Sequence, residues 1–124
     1  MKNLFAILTI LLLTGVAFTQ QATETEEERI ERISQEEFKE KMETGEYIVF
    51  DVRTVDEYQE GHLEGAKSLD FLGKSFDATI QQLPKNYKYL IYCQSGGRSA
   101  KALEKMKEAG FVHVLELEGG YSQW

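Results

Sequence analysis

The chain reads as one α/β domain of three layers, with helices on both faces of a mostly parallel sheet. Three observations predict it. The apolar runs Tyr47-Ile48-Val49-Phe50 and Tyr87 to Tyr92 are too continuous for strands with one wet face and suit strands covered on both sides. Between such runs lie segments that open on helix-start signals. The run ending at Tyr92 stops at the chain's single cysteine, Cys93, and a Gly-Gly turn then leads into a new helix. That is where sheets of this class carry their sites, at the carboxyl ends of the strands. A length of 124 residues allows one compact domain and not two.

The elements follow in order. Residues 1–22 hold Lys2, an apolar run from Leu4 to Leu13, and the small residues Ala17 and Thr19. This pattern predicts a secretory signal peptide cleaved near Thr19 or Ala22, and with it an exported protein, periplasmic or secreted. Ten apolar residues are short for a bilayer span, so no stable membrane insertion is expected after cleavage. An uncleaved anchor is the alternative. Residues 23–31, rich in Glu24, Glu26, Glu27 and Glu28, read as a solvated acidic linker, and 32–124 as the folded domain.

Ser34 with Glu37 makes a capping box, and Ile33 with Phe38 a hydrophobic staple, so a helix starts there. Phe38 and Met42 share its inner face and Gly45 ends it. After the strand Tyr47 to Phe50, Thr54 and Glu57 form a second capping box on a short helix that Gly61 closes. The segment from His62 to Ala66 turns the chain into a short strand, Ala66 to Leu69. Phe76, Ile80 and Leu83 have helical spacing, and Pro84 stops their helix. The strand from Tyr87 delivers Cys93. The helical run Ala100 to Ala109 turns Ala102, Leu103 and Met106 inward, and Gly110 ends it. Phe111 to Leu115 alternates into the last strand, with His113 expected at a surface or an edge.

The formal net charge of -7 excludes attraction to nucleic acid or to an anionic membrane surface. One cysteine excludes an internal disulfide. In an exported protein a cysteine left free suggests chemistry: Cys93 cycles as a persulfide or is held reduced by a partner.

The loop Cys93-Gln94-Ser95-Gly96-Gly97-Arg98-Ser99 has the makings of an anion cradle. The first N–H groups of a helix lack partners within it, and the helix dipole adds positive potential there. Gly96 and Gly97 allow the loop to curl its N–H groups inward. A thiol in that field loses its proton more readily, and the thiolate is the nucleophile. Arg98 is expected to add positive charge. The competing reading is a buried cysteine that merely ends a core strand; the glycine pair, the arginine and the helix start favour the reactive one.

Asp51, Arg53, Glu57 and His62 read as structural support. Asp51 and Arg53 leave a buried strand and should pair with each other, or Arg53 should face Glu57. A thiolate stabilised by loop and helix needs no base, so His62 is assigned to the turn before Leu63. Tyr121 and Trp124 read as aromatics covering the core.

Three ordered motifs then carry a family resemblance. Asp51-Val52-Arg53 with Glu57 and Gly61-His62-Leu63 to Gly65-Ala66, the loop Cys93 to Ala100, and Gly119-Gly120-Tyr121 to Trp124 resemble the signatures of the rhodanese family of sulfurtransferases. The resemblance runs from about Ile33 to the end. It implies a rhodanese-like three-layer fold and a reaction in which Cys93 takes a sulfane sulfur from a small anionic donor such as thiosulfate. The sulfur then passes to cyanide, a thiol or a protein acceptor. It implies that amides from Gln94 to Ser99 cradle the persulfide, with Arg98 adding charge, and that neither a metal nor an organic cofactor is needed. The alternatives are a non-catalytic sulfur relay, or a phosphatase-like or redox use of the thiolate. Related phosphatases have five residues between cysteine and arginine; here there are four, Gln94 to Gly97, which predicts a tighter cradle.

Overall fold

The computed structural model describes residues 28–124. The leader read in 1–22 and the linker up to residue 27 lie outside the described residues. In order the chain forms β1 (Arg29–Ile33), α1 (Gln35–Glu43), β2 (Ile48–Asp51), α2 (Val55–Glu60), β3 (Lys67–Ser68), α3 (Phe76–Gln82), β4 (Lys88–Tyr92), α4 (Gly97–Glu108) and β5 (His113–Leu117), then a 3-10 turn, Tyr121–Gln123. The five strands form one sheet in the order β1-β5-β4-β2-β3, and every pair is parallel.

The apolar runs lie where two faces must be filled. On β4, Leu90 and Tyr92 pack with Phe38 of α1 and with Leu63 and Ala66, while Tyr89 and Ile91 pack with Phe76 and Ile80 of α3 and Ala102 and Met106 of α4. Cys93 continues the second face. Side chains of successive strand residues point to opposite faces, so the run must be apolar on both. The second capping box is complete, Thr54 and Glu57 bonding reciprocally, but the first is only half formed: the Ser34 hydroxyl accepts from the Glu37 amide, while the Glu37 carboxylate is taken by Arg29.

Strand β1 is a departure. It begins at Arg29, inside the stretch 23–31 read as linker. Its sequence, Arg-Ile-Glu-Arg-Ile, has too little apolar content to announce a strand. What holds it is non-local: a ladder with β5, and ion pairs from Arg29 to Glu37 and from Arg32 to Glu116. β5 is therefore interior, and the expectation for His113 is corrected. His113 is buried, not at a surface or an edge, and its Nε2 lies 3.0 Å from the Tyr47 hydroxyl.

Candidate active site

The site forms where β4 stops. α4 has no side-chain N-cap; its cap is Gly96, in the left-handed region at φ 105. The turn aims backbone N–H groups back at the strand end. The Gly96 amide donates to Cys93 Sγ at 3.1 Å, the Ser99 hydroxyl lies 3.3 Å from the same sulfur, and the amides of Ser95 and Ser99 also point to it. Burial pushes the Cys93 thiol up, but these hydrogen bonds outweigh it and hold the thiol below its ordinary value. The residue is only 1% exposed, as the buried reading of the cysteine expects. It is buried, and it is solvated by amides rather than by water.

The two glycines differ. A Cβ on Gly96 would come within 3.1 Å of an Arg32 nitrogen, whereas Gly97 is an ordinary first helical residue with nothing within 4 Å of that position. A third glycine does more. Gly120, at φ 63, lies so close to the loop that a Cβ would sit 2.6 Å from the Cys93 carbonyl oxygen and from Gln94 backbone atoms. The amides of Tyr121 and Ser122 donate to the Cys93 and Gln94 carbonyls at 2.8 and 2.9 Å. The closing Gly-Gly-Tyr segment thus holds the outer edge of the loop.

The charged residues are paired partly as expected. Asp51 and Arg53 do bind each other, at 2.7 Å and nearly fully buried. Arg53 does not face Glu57, however: it donates to the Gly61 carbonyl and to the Gln94 side chain, with its guanidinium 4.2 Å from the centre of the Tyr121 ring. Glu57 takes Arg98 instead, in a two-pronged pair at 2.6 and 3.0 Å. The Arg98 charge is thereby largely offset. The Arg98 guanidinium holds the Glu57 carboxyl down at about 2, helped by Thr54 against a smaller effect of burial. His62 is exposed; its Nδ1 lies 2.8 Å from the Tyr58 carbonyl oxygen and its ring stacks on Tyr58, which places it in the turn.

Three residues of the site carry no mark in the loop motif. Tyr92 joins Asp51 and the Leu63 amide through its hydroxyl, and burial pushes its phenol up. Glu116 of β5 is fully buried, 3.2 Å from the Ser99 hydroxyl. Arg32 of β1 binds both Glu116 oxygens and the Gly96 carbonyl. A lone acid between Leu115 and Leu117 was the available signal, since a buried charge requires a partner.

A cleft of about 330 Å³ lined by Arg53, Glu57, Glu60, Gly61, Gln94 and Tyr121 opens beside the loop. A larger hollow, about 540 Å³, is lined by Glu46, Ile48, Asn86, Tyr87 and Lys88 at the opposite end of the sheet and holds no nucleophile. Among the described residues no group of three or more His, Cys, Asp or Glu side chains could hold a metal ion.

Comparison with known proteins agrees with this geometry. The model of the family described as rhodanese-like domain matches residues 34–124. The chain is 33% identical over 84 residues to thiosulfate sulfurtransferase 16, chloroplastic, of Arabidopsis thaliana, covering 60% of this chain and 70% of that protein. It is 34% identical over 96 residues to YrkF of Bacillus subtilis, named for a proposed sulfur-carrier role, covering 77% of this chain and 51% of that protein. This chain thus spans about half the length of the Bacillus relative. Among solved structures, a rhodanese-like domain protein from Staphylococcus aureus superposes with a TM-score of 0.67 at 30% identity, covering 76% of this chain and 90% of that one.

Proposed function

This chain belongs to the rhodanese-like domain family, and from that premise we propose that it is a sulfurtransferase working through a persulfide on Cys93. The Cys93 thiolate attacks the outer sulfur of a donor such as thiosulfate. The donor S–S bond breaks, and sulfite leaves with the electron pair. An acceptor, cyanide or a thiolate, then attacks the terminal sulfur of the persulfide, and the Cys93 thiolate departs with the electrons of the broken bond. One difficult transfer becomes two displacements, so the kinetics are ping-pong. The cradle serves both steps, because each has negative charge on Sγ or on the sulfur next to it. The observation that carries this reading is the convergence of the Gly96 amide and the Ser99 hydroxyl on Sγ.

The test is thiocyanate formation from thiosulfate and cyanide by the protein lacking residues 1–22, beside Cys93→Ser. Wild type should turn over and the mutant should not. Turnover by the mutant sinks the proposal, and aryl phosphate hydrolysis dependent on Cys93 would replace it with a phosphatase.

A relay to a protein acceptor is the second reading. It is favoured by the 1% exposure of Cys93 and by a cleft whose lining holds two glutamates against one arginine, which does not attract a free dianion. A chain that gains sulfur on Cys93 by mass spectrometry yet gives no thiocyanate would select it. Export is part of the proposal, supported by the basic start and apolar run of residues 1–22. A protein whose N-terminus in the producing cell is still Met1 would remove that part.

A further inference from the structure

The Ser99 hydroxyl sits between two acceptors. Its oxygen is 3.3 Å from Cys93 Sγ and 3.2 Å from Glu116 Oε1. A serine hydroxyl has one proton and can donate to only one of them at a time. Ser99 and Glu116 are both fully buried, so no bulk water supplies the missing donor. Arg32 binds Glu116 through Nε and a terminal nitrogen at 2.6 to 3.0 Å, which gives the buried carboxylate a partner.

We infer that Glu116 is a positioning residue that competes with Cys93 for the Ser99 proton, taking it when Sγ is neutral and releasing it when Sγ is charged. With a neutral thiol or persulfide at Cys93 the hydroxyl donates to Glu116. When the thiolate forms, the hydroxyl turns and donates to Sγ, and Glu116 rests on Arg32 alone. The turn moves no proton between heavy atoms. Glu116 therefore works against the cradle: it costs the thiolate part of the hydrogen bond that Ser99 offers, and so sets how much thiolate is present at neutral pH. Arg32 also holds the Gly96 carbonyl at 2.9 Å, which ties this switch to the peptide whose amide faces the sulfur.

The inference rests on Cys93 being the reactive thiol, but its readout is ionisation and not transfer. The other charged groups around the loop are Arg98 paired with Glu57, Arg53 paired with Asp51, and Glu118 and Asp70, which act on Arg32 and Arg98 respectively. Glu116→Gln also leaves Arg32, whose charge acts on Cys93, without its carboxylate, so it is the comparison with the Ser99→Ala background that isolates the shared hydrogen bond.

The experiment is the pH profile of Cys93 alkylation by iodoacetamide in Glu116→Gln, Ser99→Ala and the double variant. Glu116→Gln should move the midpoint to lower pH, with alkylation roughly three- to tenfold faster below the wild-type midpoint, since one pH unit is tenfold. A merely structural loosening of the loop would move it up. In the Ser99→Ala background the same substitution should move the midpoint far less, because no shared proton remains. An unchanged or raised midpoint in Glu116→Gln overturns the inference, as does a shift of equal size in both backgrounds. Should Glu116→Gln not fold, Arg32→Gln at the exposed end of the pair makes the same comparison with opposite sign. The midpoint should rise more with Ser99 present than in the Ser99→Ala background, and equal rises overturn the inference.

Discussion

Arg98 and Ser99 are adjacent in the chain, yet they form two different flanks of the cradle. Arg98 lies at the half-exposed rim and spends its guanidinium on Glu57; Ser99 is fully buried and spends its hydroxyl on the sulfur. Judged from residue types, the arginine should dominate the thiol and the serine should be incidental. The pairing reverses that order. A cation whose charge a carboxylate already offsets contributes little field at a third point, while a neutral hydroxyl 3.3 Å from Sγ and shielded from water contributes directly, even though Glu116 competes for its proton.

The largest effect is expected where both flanks share a support. Gly120→Ala puts a methyl 2.6 Å from the Cys93 carbonyl at a φ of 63. The loop must move or the turn must unwind, at a cost of about 1–3 kcal/mol from backbone strain alone. Thiol reactivity and melting temperature should both fall, by calorimetry and iodoacetamide kinetics. Gly97→Ala is the control: with open space at its Cβ and a helical conformation, it should fold at least as well and keep its reactivity. If the two variants behave alike, the close approach of Gly120 does not shape the loop.

The contrast between the glycines also shows what the sequence discloses. The elements from α1 onward were largely legible, because capping boxes and two-face apolar runs are local signals; β5 is shifted, running His113–Leu117 with every residue buried and not the alternating Phe111 to Leu115. Cys93 and its loop were legible for the same reason, being contiguous. What was hidden is what the sheet brings together from afar. Arg32 and Glu116 are separated by 84 residues and meet only because β1 lies beside β5. β1 itself was missed because ion pairs and a ladder hold it, not an apolar pattern. The pairing of Arg53 with Asp51 was legible, two residues apart; the alternative partner Glu57 goes instead to Arg98, 41 residues away, a choice only the fold decides.

A smaller effect separates the flanks directly. Arg98→Ala should raise the alkylation midpoint of Cys93, by less than about one pH unit, because it leaves Glu57 without its cation near the loop. Removing both partners, Arg98→Ala with Glu57→Ala, deletes a nearly neutral pair and should return the midpoint close to wild type. If the double variant stays as high as the single one, Arg98 acts on the sulfur itself and the contrast between rim and interior fails.

The smallest effect concerns stability and belongs to the rim alone. Arg98 holds Glu57 at about 2 against an ordinary 4.5. A carboxyl depressed by folding stabilises the fold above its unfolded value, and that contribution fades as pH falls through the folded one. Wild type should therefore be more stable than Glu57→Gln at pH 6, and the difference should close between about pH 4.5 and about pH 2. Denaturant melts at four or five pH values measure it, with the slope held as a check on compactness. Because the Arg98 and Glu57 side chains are 26% and 30% exposed, solvent and salt screen the pair and the gap should narrow further in high salt. A gap that persists unchanged at pH 2 would mean that Glu57 stabilises the fold as a cap and packing element, not through its charge, and the rim pair would then be incidental to how Arg98 is neutralised.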